Sequence, residues 1–523
     1  MKIELYDTTL RDGAQTEGIS YSVSDKISIA KKLDDLGIHY IEGGWPYSNP
    51  KDREFFEYFK KNPLKRAKLV AFGSTAHPSS SPLYKDKNLL SLLKAETEYI
   101  TIFGKSWDLH VKDVLKISPD DNLKIIYESI RFLKKRGRKV FYDAEHFFDG
   151  YFHNKDYALR TLETALDAGC DLLVFCDTNG GALPWRIEEV IKEVKKALNL
   201  SHFGIHCHND LGLAVINSLI GIKEGCVHIQ GTINGYGERC GNANLITIIG
   251  ILQLKMGYNV ISPKKLKELT EVSRFVSEVS NLTHQNNQPF VGSSAFAHKG
   301  GVHIDAVIKN PACYEHIDPA LVGNKRKFLV SELSGKSTLV VKAKELEFDL
   351  DKKSKEAKRL HRLLQELEKQ GYQFEAAEAS FKLLLQKELK KYKKFFDLLG
   401  FRVIVEKRED GKLISEATVK LKVKGKLEYT VSEGDGPVNA LDNALRKALL
   451  KIYPALSKMR LTDFKVRVLE EKRGTAAKVR VLVQSQDEKE SWTTIGVSEN
   501  IIEASYNALV DSIEYKLLKE LKK

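Results

Sequence analysis

The amino-acid sequence predicts an α/β fold that begins with a closed (β/α)8 barrel over residues 1–262, and three observations support this prediction. Eight short apolar segments alternate with longer helical patterns in this range, as in barrels of about 250 residues. No Gly-x-Gly-x-x-Gly follows the first segment, which disfavours an open dinucleotide-binding sheet. The chain of 523 residues is too long for one core, so further domains are expected after the barrel.

The predicted barrel strands are short apolar runs, and helical patterns such as residues 25–36, 121–136 and 186–198 lie between them. Each run is of strand length, whereas the patterns between them have helical spacing. In chain order the predicted strands are residues 3–10, 39–45, 68–73, 99–104, 139–145, 172–178, 203–208 and 228–234.

After the barrel the pattern changes twice. Residues 263–394 are predicted to be helical with irregular joins, and residues 395–523 return to alternating strands of an α+β domain. This last domain contains an internal repeat, because residues 417–423 and 439–450 resemble residues 477–483 and 502–515, in each case strands followed by one helix. Such duplicated units are common in domains that sense small molecules, although fold alone does not establish the role.

The composition excludes several classes of protein. The net charge of +13 is carried largely by lysines along helical stretches, without the interleaved aromatic residues that a nucleic-acid surface needs. No apolar run approaches the ~20 residues of a membrane span, and the first strand begins within three residues, so we expect a cytoplasmic protein without a signal peptide. Six cysteines without a Cys-x-x-Cys pair predict reduced thiols.

Barrel chemistry is expected where strands end, on the loops of the carboxyl-terminal face. Arg11 and Asp12 follow the first predicted strand. An arginine grips carboxylates in a fork and keeps its proton, so beside a metal-bound aspartate it suits an anionic, carbonyl-bearing substrate. Taken alone, the pair reads as a surface ion pair. Glu42, at the end of the second strand, is predicted to hold Arg11 through a charge-assisted pair.

His206 and His208 end the seventh predicted strand, and they form the firmest candidate site. Residues at i and i+2 of a strand point to one face, so both imidazoles project together, as a divalent-metal pair would need. Asp12 follows the first predicted strand, which lies near the seventh in a closed barrel, so it is expected close to the two histidines. Asn242 adds an amide oxygen or instead caps the helix that begins near Leu245, and the sequence leaves both readings open. An Asp with two His also fits a non-haem iron oxygenase.

Three motifs together resemble a known family. Residues 7–15, residues 206–212 and residues 237–242 are similar to the 2-isopropylmalate, homocitrate and citramalate synthases, Claisen-condensing barrels of the DRE-TIM metallolyase group. The resemblance covers nearly the whole chain, and residues 42–46, 141–146 and 177–181 resemble its citramalate-forming branch. Two positions depart from the pattern: Ala14 replaces a common Glu, and Asn179 replaces a small apolar residue.

The resemblance implies a set of roles. Asp12, His206, His208 and Asn242 would hold a divalent metal (Mg, Mn, Co or Zn), Arg11 would stabilise the developing alkoxide, and Thr178 would contact the substrate carboxylate. Glu145 matches the family's catalytic carboxylate. His303, assisted by Tyr314, would be the base, delivered by a partner subunit within a homodimer. A packed histidine and a surface tyrosine are the plain alternatives for the last two.

The resemblance also implies a reaction, in which pyruvate and acetyl-CoA give citramalate and CoA on the route to isoleucine. The C-terminal domain would be a regulatory dimer module that binds isoleucine. A pyruvate pocket should be closed by bulky groups, for which Trp45, Tyr142 and Phe147 are candidates. The alternatives are 2-isopropylmalate or homocitrate synthesis on a larger keto acid, and a metal-dependent lyase or carboxyltransferase.

Overall fold

The computed structural model describes residues 2–80, 82–330, 336–469 and 477–521. These residues form two compact units, one of Met1–Phe296 and Ile317–Arg326 and the other of Ala297–His316 and Lys327–Lys523. Among the described residues, no helix has both the length and the apolar character needed to cross a membrane.

The first unit contains the predicted closed barrel of eight parallel strands. Each strand pairs with the next along the chain, and the eighth pairs with the first. Several strands end earlier than expected, because the backbone turns after Asp7 and after Cys207. The strands are β1 Glu4–Asp7, β2 Tyr40–Gly44, β3 Lys68–Ser74, β4 Tyr99–Lys105, β5 Lys139–Glu145, β6 Leu172–Asp177, β7 Gly204–Cys207 and β8 His228–Gly231.

Helices surround the barrel. The sequence of the first helix explains where it begins and ends. The Ser22 hydroxyl accepts a hydrogen bond from the Asp25 amide while the Asp25 side chain accepts one from the Ser22 amide, which forms a capping box. Gly37 ends the helix at φ 103°. The helices of this unit are α1 Val23–Leu36, α2 Pro50–Lys61, α3 Lys87–Lys94, α4 Asp108–His110, α5 Pro119–Lys134, α6 Phe147–His153, α7 Lys155–Asp167, α8 Pro184–Leu198, α9 Ala214–Lys223, α10 Leu245–Leu254, α11 Pro263–Leu266 and α12 Leu269–Val279.

An aromatic layer fills the amino-terminal end of the barrel. Tyr6, Tyr40 and Phe141 pack around His228, whose ring lies 4.9 Å from that of Tyr6. Neither nitrogen of the buried His228 has a hydrogen-bond partner among the described residues, and burial lowers the pKa of this imidazole to about 3. The imidazole in this layer is therefore neutral.

The second unit begins with short segments and four helices and ends in the predicted repeat. The early elements are β9 Ala297–His298, α13 Gly301–Lys309, β10 Lys327–Phe328, α14 Lys336–Glu345, α15 Lys355–Gln370 and α16 Glu378–Glu388. The repeat consists of two three-stranded antiparallel sheets, each followed by a helix. Its elements are β11 Phe396–Lys407, β12 Leu413–Val423, β13 Lys426–Gly434, α17 Pro437–Leu449, β14 Arg460–Val468, β15 Val479–Gln486, β16 Ser491–Ser498 and α18 Ile501–Leu521.

Alternation explains how the two halves of the repeat bury their cores. On β12, Ala417, Val419 and Leu421 are fully buried while the residues between them are not. The same alternation returns at Val481 and Val483 on β15, because successive side chains of a strand face opposite sides of the sheet. One helix packs on each sheet, and the order of strands followed by one helix in each half is the order that the sequence predicted. The division into functional domains at residues 262 and 394 remains a prediction.

Candidate metal and substrate site

Three candidate metal ligands meet at the carboxyl-terminal end of the barrel. Asp12 follows β1, His206 lies on β7, and His208 comes directly after that strand. All three are buried, and each offers a ligand atom within 4.8 Å of the other two. Oδ2 of Asp12 lies 3.7 Å from Nε2 of His206, and the two imidazole rings are 5.1 Å apart. The structure thus brings together residues that lie almost 200 positions apart in the chain.

Asn242 completes the cluster. Its Nδ2 lies 3.3 Å from Oδ2 of Asp12 and 3.3 Å from Nε2 of His206, and its buried Oδ1 has no hydrogen-bond partner among the described residues. A Cβ at position 237 would lie 1.9 Å from this oxygen, so only glycine allows the amide to sit there. The helix-cap reading of Asn242 is wrong, because Asn244 caps α10 by accepting from the Ile246 and Thr247 amides.

The ionisation of these groups suits a divalent cation. Burial lowers the pKa of His206 and lowers that of His208 to about 3, so both imidazoles are neutral and have a lone pair to donate. Burial would raise the pKa of Asp12, but the charge of the Arg11 guanidinium opposes it, and the pKa of Asp12 is lowered. A carboxylate, two neutral imidazoles and an orphaned amide oxygen are ligands that Mg, Mn, Co or Zn accept. The residues therefore fit the metal that the family resemblance implies.

A second layer orients His206. The side-chain oxygen of Gln230 lies 2.9 Å from Nδ1 of His206, while its Nε2 donates to Oδ1 of Asp143 at 3.1 Å. Because the amide nitrogen is engaged with Asp143, its oxygen faces the imidazole, so Nδ1 carries the proton and Nε2 keeps the lone pair beside Asp12. Neither Gln230 nor Asp143 was predicted from the sequence as a site residue. Asp143 could have been found, since it lies two residues before Glu145 on β5 and faces the same way.

Arg11 is held by two carboxylates, as predicted for Glu42. Its Nε donates to Oε1 of Glu42 at 2.5 Å, its Nη1 donates to Asp12, and its guanidinium lies 3.8 Å from the centre of the Phe72 ring. Glu42 is fully buried and accepts from the Tyr6 hydroxyl at 2.6 Å. Burial opposes the charge of Arg11, but Asp12 and Glu42 outweigh it and raise its pKa. Arg11 is therefore a fixed cation.

A cavity of about 220 Å³ joins these groups to Thr178 and Glu145, which line it as well. The Thr178 hydroxyl accepts a hydrogen bond from the His146 amide at 2.9 Å. The backbone carbonyl of Thr178 accepts one from Nη2 of Arg239 at 2.8 Å. Glu145 pairs with Lys105. Arg11, Asp12, His206 and His208 line the same cavity, so one small space adjoins most of the predicted barrel residues.

The bulky wall of the cavity differs partly from the one expected. Trp45 lines the cavity together with Phe72 and Phe103, and the two phenylalanine rings stack at 5.5 Å. Tyr142 and Phe147 are fully buried and do not line it. These two residues lie at strand and helix positions that face the surrounding core, a direction that apolar character alone does not reveal. Asn179 does not line the cavity either, and its Nδ2 donates to Asp149.

His303 and Tyr314 belong to the second unit. His303 lies on α13, Tyr314 follows a short turn, and their rings stack with centres 4.2 Å apart. Tyr314 is 47% exposed, and His303 is exposed as well. The two residues therefore form an accessible pair, which neither a packed histidine nor an isolated surface ring would do.

The closed barrel and the Asp-His-His-Asn cluster define the class of the protein, a (β/α)8 barrel with a candidate metal site on its carboxyl-terminal face. The HMGL-like family matches residues 2–276, the "Homocitrate synthase post-HMGL domain-like" family matches residues 290–371, and the "LeuA allosteric (dimerisation) domain" family matches residues 375–517. The matches thus cover both compact units.

Comparison with curated relatives identifies the particular family within this class. The chain is 56% identical over 520 residues to an (R)-citramalate synthase of Aquifex aeolicus and 55% identical over 518 residues to one of Geobacter sulfurreducens, with 99% of this chain and 98% of each relative covered. A 2-isopropylmalate synthase of Methanocaldococcus jannaschii is 31% identical over 525 residues, covering 100% of this chain and 96% of that protein. The chain belongs to the (R)-citramalate synthase family.

Proposed function

We propose that this protein catalyses the condensation of pyruvate with acetyl-CoA and water to give (R)-citramalate and CoA. The observation that carries the proposal is the cavity of about 220 Å³. Candidate metal-ligand side chains, the fixed Arg11 and Thr178 line this cavity together with an aromatic wall. Identities of 55–56% to two (R)-citramalate synthases over nearly the whole chain support it.

The keto acid would be bound by groups that suit its carboxylate and its carbonyl. Asp12, His206, His208 and Asn242 would hold a divalent metal, which when bound supplies Lewis-acid polarisation of the carbonyl. Arg11 faces the same cavity and would donate to the oxygen that gains negative charge during attack. The hydroxyl of Thr178 would bind the carboxylate.

The condensation needs a base and then a water molecule. His303, assisted by Tyr314, would remove a proton from the acetyl methyl group, whose carbon then bonds to C2 of pyruvate while the carbonyl becomes an alkoxide and takes a proton. Water then cleaves the thioester, which releases the CoA thiol and leaves a second carboxylate. Glu145 lines the cavity and would orient the acetyl group or this water.

A panel of keto acids tests the proposed function. Thiol release from acetyl-CoA is measured with pyruvate, 2-oxobutyrate, 2-oxoisovalerate and 2-oxoglutarate, and pyruvate should give the highest kcat/KM. Preference for a larger keto acid would move the protein to 2-isopropylmalate or homocitrate synthesis. Absence of thiol release with all four keto acids would contradict a condensing enzyme. The lyase and oxygenase alternatives would then be favoured.

The aromatic wall predicts the basis of keto-acid selection. Phe103 lies 5.6 Å from the Trp45 ring and stacks on Phe72, so these rings support one another and leave little room for a longer side chain. Phe103→Ala should raise the kcat/KM for 2-oxobutyrate relative to pyruvate by about tenfold, the scale of one methylene in a pocket. Tyr127→Ala, at an exposed aromatic residue of α5, should leave the ratio unchanged. An unchanged ratio in Phe103→Ala would remove this wall from the specificity argument.

We propose that the protein is a homodimer in which His303 and Tyr314 serve the barrel of the partner subunit. The match to a dimerisation domain at residues 375–517 and the exposure of Tyr314 support this arrangement. His206→Ala and His303→Ala should each be inactive, whereas subunits mixed and allowed to exchange should regain about a quarter of wild-type activity, since half the dimers then contain one intact site. Mixed subunits that exchange and stay inactive would contradict shared sites.

We propose further that the C-terminal repeat binds isoleucine and inhibits the enzyme, on the basis of the matched allosteric domain. Isoleucine added to the full-length enzyme should lower the rate of thiol release, and leucine at the same concentration is the control. If neither amino acid lowers the rate, the proposal is wrong. If leucine alone does so, the effector and the pathway are those of a different branch of the family.

A further inference from the structure

We propose that His146, Asp149 and Asn179 are positioning residues that hold the Thr178 hydroxyl ready to donate to the keto acid's carboxylate. The inference rests on the proposed function for the role of Thr178 itself. None of the three was predicted from the sequence as a site residue. The His146 backbone amide bonds to the Thr178 hydroxyl, and the side chains of His146 and Asn179 meet at Asp149.

The first contact sets the direction of the hydroxyl. The His146 amide donates to Oγ1 of Thr178 at 2.9 Å. A hydroxyl has one hydrogen, and one that accepts a backbone N–H keeps that hydrogen for a different acceptor. Thr178 lines the cavity, so an anionic ligand there can accept it. The other side of Thr178 is fixed as well, because its carbonyl accepts from Arg239, which Asp210 holds through two bonds at 2.7 and 3.0 Å.

The second contact holds the His146 amide in place. His146 has φ 55° and ψ 34°, a left-handed conformation that is uncommon outside glycine and is kept only where surrounding contacts impose it. Its Nδ1 lies 3.0 Å from Oδ2 of Asp149. Its ring also lies 4.4 Å from that of His110 and 5.8 Å from that of Trp107. The side chain therefore locks a backbone conformation that points the amide at Thr178.

The third contact closes the series. Nδ2 of Asn179 donates to the same Oδ2 of Asp149 at 3.1 Å, and Asn179 is the neighbour of Thr178 in the chain. The loop after β6 and the start of α6 are thus joined twice, once through the Thr178 hydroxyl and once through Asn179 and Asp149. A shift of either segment would break both connections, so the network fixes the position of the hydroxyl as well as its direction.

The network predicts a selective loss. Asp149→Ala removes the acceptor shared by His146 and Asn179 and should lower kcat/KM for pyruvate by about threefold to tenfold, the effect of one or two hydrogen bonds. The KM for acetyl-CoA should stay within about twofold of wild type by the same reasoning. Asn179→Ala, at a residue that lies outside the cavity, should shift kcat/KM for pyruvate in the same direction by less.

A double-mutant cycle separates this role from general stabilisation. In a Thr178→Val background, which lacks the hydroxyl, Asp149→Ala should cause no further loss in kcat/KM for pyruvate. Ser118→Ala is the control, because it removes a comparable polar contact, the cap that Ser118 provides to α5 through the Asp121 amide. It should leave both substrates unaffected. An equal loss from Asp149→Ala in both backgrounds, or an equal effect on acetyl-CoA, would overturn the proposal.

The same assays keep the two proposals apart. Turnover by the wild-type enzyme across the keto-acid panel reports on the proposed function, whereas the cycle reports on the positioning residues. If the wild type prefers another keto acid, the cycle is run with that acid, which carries the same carboxylate. Coupling between positions 149 and 178 then supports the positioning role, and its absence refutes the role whichever keto acid is used.

Discussion

Arg11→Ala should lower kcat/KM for pyruvate by about 10³-fold, the scale expected when a donor to a developing oxyanion is removed. Arg11 lies between Asp12 and Glu42 and faces the cavity. Arg239 also lines the cavity but is held by Asp210, so it cannot replace Arg11 without moving. The variant should also be less stable, because Glu42 is fully buried and would lose its counter-charge, at a cost of about 3–5 kcal/mol in the free energy of unfolding.

Two further variants separate activity from stability. Arg11→Lys keeps the charge but cannot contact both carboxylates through a fork, so it should fold well and remain strongly impaired. Arg11→Ala combined with Glu42→Gln removes the buried charge together with its partner, and should regain stability without regaining activity. Thermal unfolding and thiol release measure the two effects. Recovery of turnover in the double variant would show that Arg11 acts only as a counter-ion.

His206→Ala should abolish stoichiometric metal binding and lower kcat/KM by about 10³-fold or more, since a Lewis acid contributes several kcal/mol to such a reaction. His206 lies at the centre of the cluster, 3.7 Å from Asp12 and 3.3 Å from Asn242. Metal content measured on the purified protein gives a readout that does not depend on turnover. Chelation of the wild type should have the same effect and be reversed by Mg, Mn, Co or Zn.

Cys207→Ala is the matched control for His206. Cys207 is the next residue on β7, equally buried, but it does not line the cavity, because neighbouring side chains of a strand point to opposite faces. Metal content and turnover should therefore stay close to wild type. Full activity of the metal-free protein, or retention of metal by His206→Ala, would contradict the assigned cluster.

Much of this architecture could be read from the sequence. Strand–helix alternation predicted all eight barrel strands, and the ends of these strands predicted where Asp12, His206 and His208 would meet, because parallel strands bring their carboxyl ends to one face. The Arg11–Glu42 pair was also predicted, from an acidic residue at the end of the next strand. The strands and helices repeat at regular intervals along the chain, and this periodicity is visible in the sequence itself.

Other features depended on register and on the direction of side chains. Gln230 lies opposite His206 because β7 and β8 pair in a particular register, and no local pattern indicates that alignment. Phe72 and Phe103 close the cavity, whereas Tyr142 and Phe147, equally aromatic, face the core. The choice between metal ligand and helix cap at Asn242 was open in the sequence, and it was decided by Asn244, two residues further on, which caps the helix.

The sequence by itself determined the barrel, the duplicated C-terminal unit and the meeting of Asp12, His206 and His208 at the candidate metal site, because strand periodicity and strand ends place them without reference to the rest of the chain. Only the tertiary structure decided which aromatic rings bound the cavity and which side chains orient His206 and Thr178. Those contacts join residues from separate strands and loops. They arise from packing and strand pairing across the fold, which no single segment of the chain specifies.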